Sequence, residues 1–208
     1  MIVVGDEVRA ALSAKTAVVG LESTIFSTLG LPSPANLEAL TRCNAAVRNA
    51  GAVPALTAVI DGVIWAGVPE EMEERVLGAT VKVAARGLAA ASAQRLPVGA
   101  TTVSASLAIV DQVGIQVFAT GGIGGVHRGS EITGDISSDL DAIARYGVTT
   151  VSAGAKAFLD LPRTLEYLET SSVPVVGWRT NDFPAFYTQN SGLEVPYRVD
   201  DAASAARI

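Results

Sequence analysis

The sequence predicts an α/β protein, built as a three-layer α/β/α domain around a mainly parallel central sheet. Short segments that are apolar on both faces and rich in β-branched residues indicate buried strands. Segments with helical periodicity lie between them, and this alternation is typical of folds with a parallel sheet. The chain has 208 residues, of which 49% are hydrophobic, so it can bury a full core. We therefore expect residues 1–208 to form a single domain.

The expected elements follow one another along the chain. The first clear helix is marked by Asn36 as its N-cap, by apolar residues at helical spacing and by Gly51 at its end. Strands are predicted at 16–21, 53–60, 115–120, 148–153 and 173–178, and helices at 36–51, 69–78, 105–114 and 140–147. In sheets of this kind the ligand crevice lies beyond the carboxyl ends of the strands. The polar residues of interest follow these strand ends.

Composition and charge exclude several classes of protein. The net charge is −6, and no basic cluster or run of aromatic residues indicates nucleic-acid binding. No apolar stretch reaches the roughly eighteen residues needed to cross a bilayer. The first residues lack the basic and continuous apolar regions of a signal peptide. The single cysteine, Cys43, excludes an internal disulfide and favours a reducing compartment, so we expect a cytoplasmic protein.

Lysine is scarce in this chain, with three lysines against twelve arginines. Lys156 follows the strand predicted at 148–153 and has alanine, glycine, phenylalanine and leucine as neighbours. Burial would disfavour its ammonium form and lower its pKa, leaving an amine that can attack a sugar aldehyde and form an imine. We interpret Lys156 as the catalytic nucleophile of an enzyme acting on a phosphorylated sugar. The alternative is a lysine that extends to solvent along the next helix.

Lys82 lies in an equally apolar context, in ATVKVAARGL. Its pattern is looser than that of Lys156. It could pair with a phosphate or simply lie on the surface.

Glu22 follows directly on the strand predicted at 16–21 and precedes the apolar pair Ile25 and Phe26. A partly desolvated carboxylate in this position would have a raised pKa and could act as a general acid. A structural role is equally compatible with the position. In that role Glu22 would cap, or accept hydrogen bonds from, the following turn.

A glycine-rich segment, VFATGGIGGVHRG (117–129), contains the only histidine of the chain, His127, directly after its four clustered glycines and Val126. Glycines allow consecutive backbone N–H groups to close around an anion, and His127 and Arg128 would add charge. The segment is not a Walker loop and does not fit the dinucleotide pattern GxGxxG. We favour phosphate or sugar binding over a tight turn that only requires positive φ.

The segment GDISSDL (134–140) places Asp135 and Asp139 four residues apart. If the segment is helical, both carboxylates face the same side. Oxygen ligands of this kind suit Mg²⁺ or Mn²⁺ with waters in the remaining positions. By spacing alone, an aspartate–serine cap of the following helix is slightly preferred over a metal site.

Other nucleophilic chemistry lacks support. His127 lies within the glycine-rich segment, so the chain offers no Ser-His-Asp triad. Cys43 lies in the middle of a predicted helix beside Arg42, with no histidine in its motif. A thiol nucleophile is therefore not expected.

Seven stretches of the sequence form a specific combination. They are ESTIFS (22–27), GAVPALTAVIDG (51–62), GATTVSAS (99–106), VFATGGIGGVHRG (117–129), GDISSDL (134–140), AGAKAFLDLPRTLEYLET (153–170) and FPAFYT (183–188). Together they resemble the pseudouridine-5′-phosphate glycosidase family, which includes proteins of indigoidine-type pigment clusters. The resemblance runs from about residue 15 to the end of the chain.

The resemblance implies a fold, an activity and a role for several residues. Members of the family make or break the C–C bond between ribose 5-phosphate and uracil, use Mn²⁺ and form homotrimers. By resemblance, Glu22 is the proton donor and Lys156 the imine-forming nucleophile. Residues implied to bind substrate are Lys82, Val103, His127, Ser137, Ser138 and Asp139, with His127 at the phosphate, and Asp135 is implied as the manganese ligand.

Two departures from the family pattern leave alternatives open. Where relatives carry a Lys-Val-Ser-Arg-Arg-Asp-Leu type of motif, this chain has KVAARGL (82–88), with Ala84 and Gly87 replacing the serine and the acidic residue. The sequence also lacks roughly the last third that is usual in the family. The first departure favours, as an alternative, C-ribosylation of an aromatic polyketide. The second favours a sugar-phosphate-binding module that does not turn over.

Overall fold

A computed structural model describes all 208 residues and contains ten strands and nine α-helices. The strands are β1 (Ile2–Val4), β2 (Val18–Leu21), β3 (Val53–Ile60), β4 (Val63–Ala66), β5 (Lys82–Val83), β6 (Val98–Thr101), β7 (Val117–Ala119), β8 (Thr149–Val151), β9 (Val176–Trp178) and β10 (Tyr197–Val199). The helices are α1 (Asp6–Ser13), α2 (Ala35–Asn49), α3 (Glu70–Leu77), α4 (Leu88–Ala93), α5 (Val103–Gln112), α6 (Ser130–Thr133), α7 (Ser138–Arg145), α8 (Leu161–Thr170) and α9 (Ala202–Ala205). No helix is long and apolar enough to cross a membrane.

The residues pack as two compact units. The first unit comprises Met1–Thr120 and Arg145–Val151, and the second comprises Gly121–Ala144 and Ser152–Ile208. The main sheet, β1 to β8, belongs to the first unit. The second unit holds a small parallel sheet of β9 and β10.

The main sheet is mostly parallel, which confirms the predicted α/β class. Its strand order is β1-β4-β3-β2-β7-β8, with β6 pairing to both β3 and β5. Five of its seven pairings are parallel, and the two antiparallel ones join β3 to β4 and to β6. The parallel strands β2 and β7 end side by side, with Leu21 opposite Ala119. Glu22 and Thr120, which follow these two residues, therefore lie at the same edge of the sheet.

The centre of the sheet is β3, whose residues are buried from Pro54 to Ile60. Its first half pairs with β2 and its second half with β4 and β6, so the strand is covered along both edges. Side chains of β3 enter both apolar clusters of the first unit, since Leu56 packs in one and Val59 in the other. This explains why the sequence at 53–60 is apolar without alternation.

All five predicted strands occur, with β3 at its predicted bounds and the others shortened at one or both ends. The four predicted helices occur as α2, α3, α5 and α7. The prediction that Asn36 is an N-cap is wrong, because α2 begins at Ala35 with Pro34 in the cap position. The amide of Asn36 instead lies inside the helix and donates to the Leu77 carbonyl oxygen. Gly51 ends the helix as predicted, with φ of +80°.

Candidate active site

Glu22 is buried at the end of β2, with 7% of its surface exposed. Its carboxylate accepts a hydrogen bond from the hydroxyl of Thr120, the residue that follows β7. The expected desolvation of this carboxylate is confirmed. Thr120 follows the neighbouring strand, so this hydrogen bond is not the one that the structural alternative predicts, which would join Glu22 to the turn that follows it.

A network of buried hydroxyl groups lies directly behind Glu22. Ser23, Thr57, Thr101 and Ser106 are all fully buried. The Thr57 and Thr101 hydroxyls are 2.8 Å apart, and the Ser106 hydroxyl lies 2.8 Å from Thr57 and 3.2 Å from Thr101. The Ser23 hydroxyl accepts from the Thr101 backbone N–H at 2.8 Å. Because each hydroxyl has a partner, the network is stable in the core and fixes the backbone that carries Glu22.

Thr101 also connects Glu22 to the other two predicted residues of the first unit. Its carbonyl oxygen accepts from the N–H of Ser23, at 3.3 Å, and from the hydroxyl of Thr24, at 2.8 Å. Val103 begins α5 two residues further on and is 2% exposed. Lys82 lies on the adjoining strand β5, opposite Ala100, and is exposed. The structure therefore gathers the segments of Glu22, Lys82 and Val103 around the end of β6.

In the second unit, one extended segment, Gly121–His127, organises the remaining predicted residues. On one side, Ile123 forms a parallel bridge with Ala155, and its carbonyl oxygen accepts from the Lys156 backbone N–H at 3.3 Å. On the other side, Val126 pairs with Ile136 in an antiparallel bridge. Segment Gly121–His127 therefore holds the residues around Lys156 along one edge and the residues of Asp135–Asp139 along the other.

The expectation that Lys156 is buried is wrong, because its side chain is exposed. The N–H of Leu159 donates to the Lys156 carbonyl oxygen at 3.0 Å, which closes a turn. Ala155 and Leu159 point inward, at 0% and 2% exposure, and the residues between them face solvent. The apolar neighbours therefore anchor the turn without covering the lysine. The amine is accessible to a small molecule, and none of the ion pairs involves it.

The expectation that Asp135 and Asp139 share a helix face is also wrong, because α7 begins only at Ser138. Asp135 precedes the helix, and its carbonyl oxygen accepts from the His127 N–H at 3.1 Å. Asp139 lies in the first turn, is 8% exposed and accepts from the Gly124 N–H at 3.0 Å. The Ser137 hydroxyl accepts from the Asp139 N–H at 3.3 Å, as an N-cap does. The capping interpretation of this segment is therefore supported, with Ser138 exposed beside it.

The side chains of two predicted residues, Asp135 and His127, face each other in this segment. Asp135 is exposed, and its Oδ1 lies 3.7 Å from Nδ1 of His127, a buried atom with no hydrogen-bond partner. No group of three or more histidine, cysteine or acidic side chains is placed to hold a metal ion. One carboxylate with waters in the other positions is nevertheless a common way to bind Mg²⁺ or Mn²⁺. The donor set fits a largely hydrated ion at Asp135.

Gly122 and Gly124 of this segment allow close packing. A Cβ on Gly124 would lie 2.1 Å from the Ser137 hydroxyl, and one on Gly122 would lie 2.3 Å from the Phe186 ring. The N–H groups of Ile123, Gly124, Val126 and His127 donate to protein acceptors. The expectation that consecutive N–H groups converge on an anion is therefore wrong for these four, since the protein already uses them.

A cavity of about 370 Å³ lies in the second unit beyond Lys156. Its lining residues are Arg128, Ala157, Leu159, Asp160, Leu161, Pro162, Ser191 and Leu193. Of these residues, only Arg128 was considered for phosphate binding, and Lys156, His127 and Asp135 do not line the cavity, so it is not assigned to the candidate site.

Sequence reasoning missed the residues that position the candidate groups. Thr120, Thr101 and Thr164 each connect segments that are distant in the chain, and Thr164 accepts from the Val126 N–H at 3.0 Å. A threonine at a strand end or in the first turn of a helix is common, so its type alone carries little signal. Their partners become evident only from strand order, which places β2 beside β7 and β6 beside β3.

The fold and the candidate site define an α/β protein. One unit carries a buried glutamate at a sheet edge, and the other carries an accessible lysine on a segment paired with the glycine segment. The chain belongs to the indigoidine synthase A-like family, whose family model matches residues 7–208. The similarity to pseudouridine-5′-phosphate glycosidases inferred from the motifs is confirmed. One from Caldanaerobacter subterraneus subsp. tengcongensis is 52% identical over 206 residues, 98% of this chain and 66% of the relative. One from Arabidopsis thaliana is 47% identical, over 100% of this chain and 63% of the relative.

Two solved structures share the fold. The prealnumycin C-glycosynthase AlnA, in complex with ribulose 5-phosphate, matches all of this chain with a TM-score of 0.91 and 42% identity, over 67% of its own chain. An indigoidine synthase A-like protein from Thermotoga maritima matches 92% of this chain with a TM-score of 0.85 and 37% identity, over 64% of its own chain. The chain thus spans about two thirds of the length of the relatives that it matches.

Proposed function

We propose that the chain catalyses the reversible reaction of pseudouridine 5′-phosphate with water to give uracil and ribose 5-phosphate. The curated relatives named for this activity, at about 50% identity, support the proposal. The observation that carries it is the position of Lys156, an accessible amine held on the same backbone segment as Asp135, Ser137 and Asp139. An enzyme that forms an imine with a polar, phosphorylated sugar requires an amine and polar groups that bind the sugar.

The chemistry assigned to the two catalytic residues follows from the bond to be broken. A C-glycoside has no heteroatom leaving group, so the sugar ring opens first. The Lys156 amine attacks C1′ of the ribose, and the ring oxygen leaves with a proton from Glu22. The nitrogen lone pair then forms the imine while the bonding electrons leave with the nucleobase carbon, which takes a proton. Water hydrolyses the imine, releasing ribose 5-phosphate and restoring the amine.

The other residues implied by the family resemblance would bind and orient the sugar phosphate. Lys82 and His127 would interact with the phosphate group. The other substrate contacts would come from Val103, Ser137, Ser138 and Asp139. Asp135 would hold Mn²⁺ through one carboxylate and bound waters. That ion would supply positive charge that organises the anionic substrate. We further propose a homotrimer in the cytoplasm, in line with the family and with the single cysteine.

The reaction is tested in the direction of synthesis. The protein is incubated with ribose 5-phosphate, uracil and Mn²⁺, and pseudouridine 5′-phosphate is measured by mass spectrometry. We expect product with the parent chain, and at least about 100-fold less with Glu22→Gln, which keeps the shape but loses the acidic proton. Sugar-phosphate binding with no product from the parent chain would contradict the proposal and favour a binding module.

A second candidate function is C-ribosylation of an aromatic polyketide. The observation that favours it is the match to the prealnumycin C-glycosynthase over the whole chain. The segment that departs from the glycosidase pattern also has room, since a Cβ on Gly87 would meet nothing closer than Val83 Cγ1 at 3.7 Å. Product with a hydroxynaphthoquinone in place of uracil, and none with uracil, would select this candidate.

A further inference from the structure

The segment FPAFYT (183–188) contains a strained turn that the proposed reaction does not yet use. Phe186 has a φ of +61°, and the N–H of Tyr187 donates to the Ala185 carbonyl oxygen at 2.6 Å. A hydrogen bond across three residues with a positive central φ is a γ-turn of the rarer, strained kind. Such a conformation is unfavourable at a residue other than glycine and persists only where its surroundings hold it in place.

The surroundings of Phe186 are the backbone of the candidate site. Its N–H donates to the Ala153 carbonyl oxygen at 3.1 Å, and Ala185 forms a bridge with Gly154. Its ring lies against Gly121 and Gly122, and a Cβ on Gly122 would come within 2.3 Å of it. Gly154 is equally restricted, since its φ is +85° and a Cβ there would lie 2.0 Å from the Pro184 carbonyl oxygen. The turn is therefore fixed to the residues that lead into Lys156.

The turn presents Tyr187 to solvent. Its side chain is 84% exposed, and its ring meets the Phe186 ring edge-on at 4.6 Å between centroids and 85° between planes. Phe186 thus limits the positions that the Tyr187 ring can take. The bridge from Ala185 to Gly154 lies two residues before Lys156, so the backbone paired with the aromatic turn leads to the lysine over roughly 7 Å if extended.

We propose that Tyr187 determines acceptor specificity, by providing the aromatic face on which the planar ring of the acceptor stacks. The proposal rests on the proposed function. Uracil and an aromatic polyketide share a flat π-system, which a tyrosine ring binds with little loss of side-chain entropy. A strained turn that holds a large aromatic side chain in solvent, on a segment paired with the backbone that leads to Lys156, suits a surface that is covered only when the acceptor is bound.

The test measures acceptor binding without turnover. The protein is treated with ribose 5-phosphate and borohydride, which reduces the Lys156 imine to a stable amine, and uracil or a hydroxynaphthoquinone is then titrated by calorimetry. We expect Tyr187→Ala to raise the Kd of the acceptor about 5- to 150-fold, the range for loss of one base–aromatic stack. Tyr187→Phe keeps the ring and should change the Kd less than about twofold. The compound that binds to the parent protein, uracil or the hydroxynaphthoquinone, identifies the class of acceptor.

A matched control is Tyr197→Ala, since Tyr197 is also an exposed tyrosine of the second unit, at 55%. It should leave the Kd unchanged. Equal acceptor affinity in Tyr187→Ala and the parent overturns this inference alone, as does loss of affinity in Tyr187→Phe or Tyr197→Ala. Failure of the parent to form the adduct removes the proposed function, and this inference with it. Circular dichroism of each variant verifies that it is folded.

Discussion

At the scale of single residues, the central contact of the first unit joins Glu22 to Thr120. A buried carboxylate needs hydrogen-bond donors, because removing it from water is costly without them. The Thr120 hydroxyl supplies one, and the hydroxyl network at Ser23 and Thr101 fixes the backbone on the other side. The same geometry holds the acid in one orientation for the proton transfer proposed for it.

Thr120→Val tests this contact by replacing the hydroxyl with a methyl group of similar size. We expect the free energy of unfolding to fall by about 1–3 kcal/mol, the usual cost of removing a hydrogen-bond partner from a buried polar group. Chemical denaturation measures it. Thr120→Ser keeps the hydroxyl and should lose less than about half of that amount. A Thr120→Val protein as stable as the parent would show that the contact does not hold Glu22.

Lys156 shows what residue type can and cannot indicate. Its scarcity and its position after a strand were visible in the sequence, and both pointed to a special lysine. Its exposure was not visible, because apolar neighbours in sequence need not be neighbours in space. Ala155 and Leu159 are buried inside the unit while the lysine between them faces outward.

At the scale of elements, the segment Gly121–His127 depends on glycine for close approach. Gly124→Ala would place a Cβ 2.1 Å from the Ser137 hydroxyl and 2.9 Å from the Asp139 carboxylate. We expect the free energy of unfolding to fall by about 1–3 kcal/mol, as in other overpacked sites. Thermal and chemical denaturation measure the change.

The control for that substitution is Gly87→Ala, at a position where the nearest atom is 3.7 Å from a Cβ and φ is negative. It should change the unfolding free energy by less than about 1 kcal/mol. If Gly124→Ala is tolerated as well as Gly87→Ala, the close packing inferred for the glycine segment is incorrect.

Helix α3 carries an acidic side chain that weakens the fold at neutral pH. Burial, and then the nearby charge of Glu70, raise the pKa of Glu73, against the opposing effects of Asn44 and Arg48. Because the folded-state pKa is the higher one, this carboxyl favours the folded state at low pH, and that contribution is lost as the pH rises through the raised value. Glu73→Gln removes the charge and can donate to the unpaired Asn44 Oδ1.

We therefore expect Glu73→Gln to raise the unfolding free energy at pH 7 by about 0.5 kcal/mol, a small gain because the side chain is half-exposed. The gain should shrink as the pH falls and vanish once the pH is well below the ordinary glutamate pKa, where Glu73 is protonated in both states. Melting curves across this pH range measure it. Glu74→Gln, on the exposed face of the same helix, should show no such pH-dependent gain. An equal gain in both variants would rule out the burial of Glu73 as the cause.

The elements that sequence predicted well are those whose pattern is set by burial alone. The strand at 53–60 is apolar on both faces because it lies between paired strands, and its bounds were predicted to the residue. The strands β5 and β6 were missed because they are short and are defined by pairing with β3 and with each other. The contacts of Glu22 and Asp139 were missed for the same reason, since both cross between distant segments.

At the scale of the whole molecule, the residues given roles in the proposed reaction are divided between the two units. Glu22, Lys82 and Val103 belong to the first, and Lys156 and Asp135 belong to the second. This chain covers 60 to 68% of the length of three curated relatives, so each of them is longer than this chain by about half. Imine formation needs only the amine and the sugar aldehyde, so it tests the central claim without depending on the acceptor.

The most direct measurement is therefore the site of covalent attachment. The protein is incubated with ribose 5-phosphate, reduced with borohydride and digested, and the modified peptide is sequenced by mass spectrometry. We predict one reduced ribose 5-phosphate per chain, attached at Lys156, with Lys15 and Lys82 unmodified and with the adduct lost in Lys156→Arg. An adduct spread over the three lysines, or none at Lys156, would contradict the proposed mechanism.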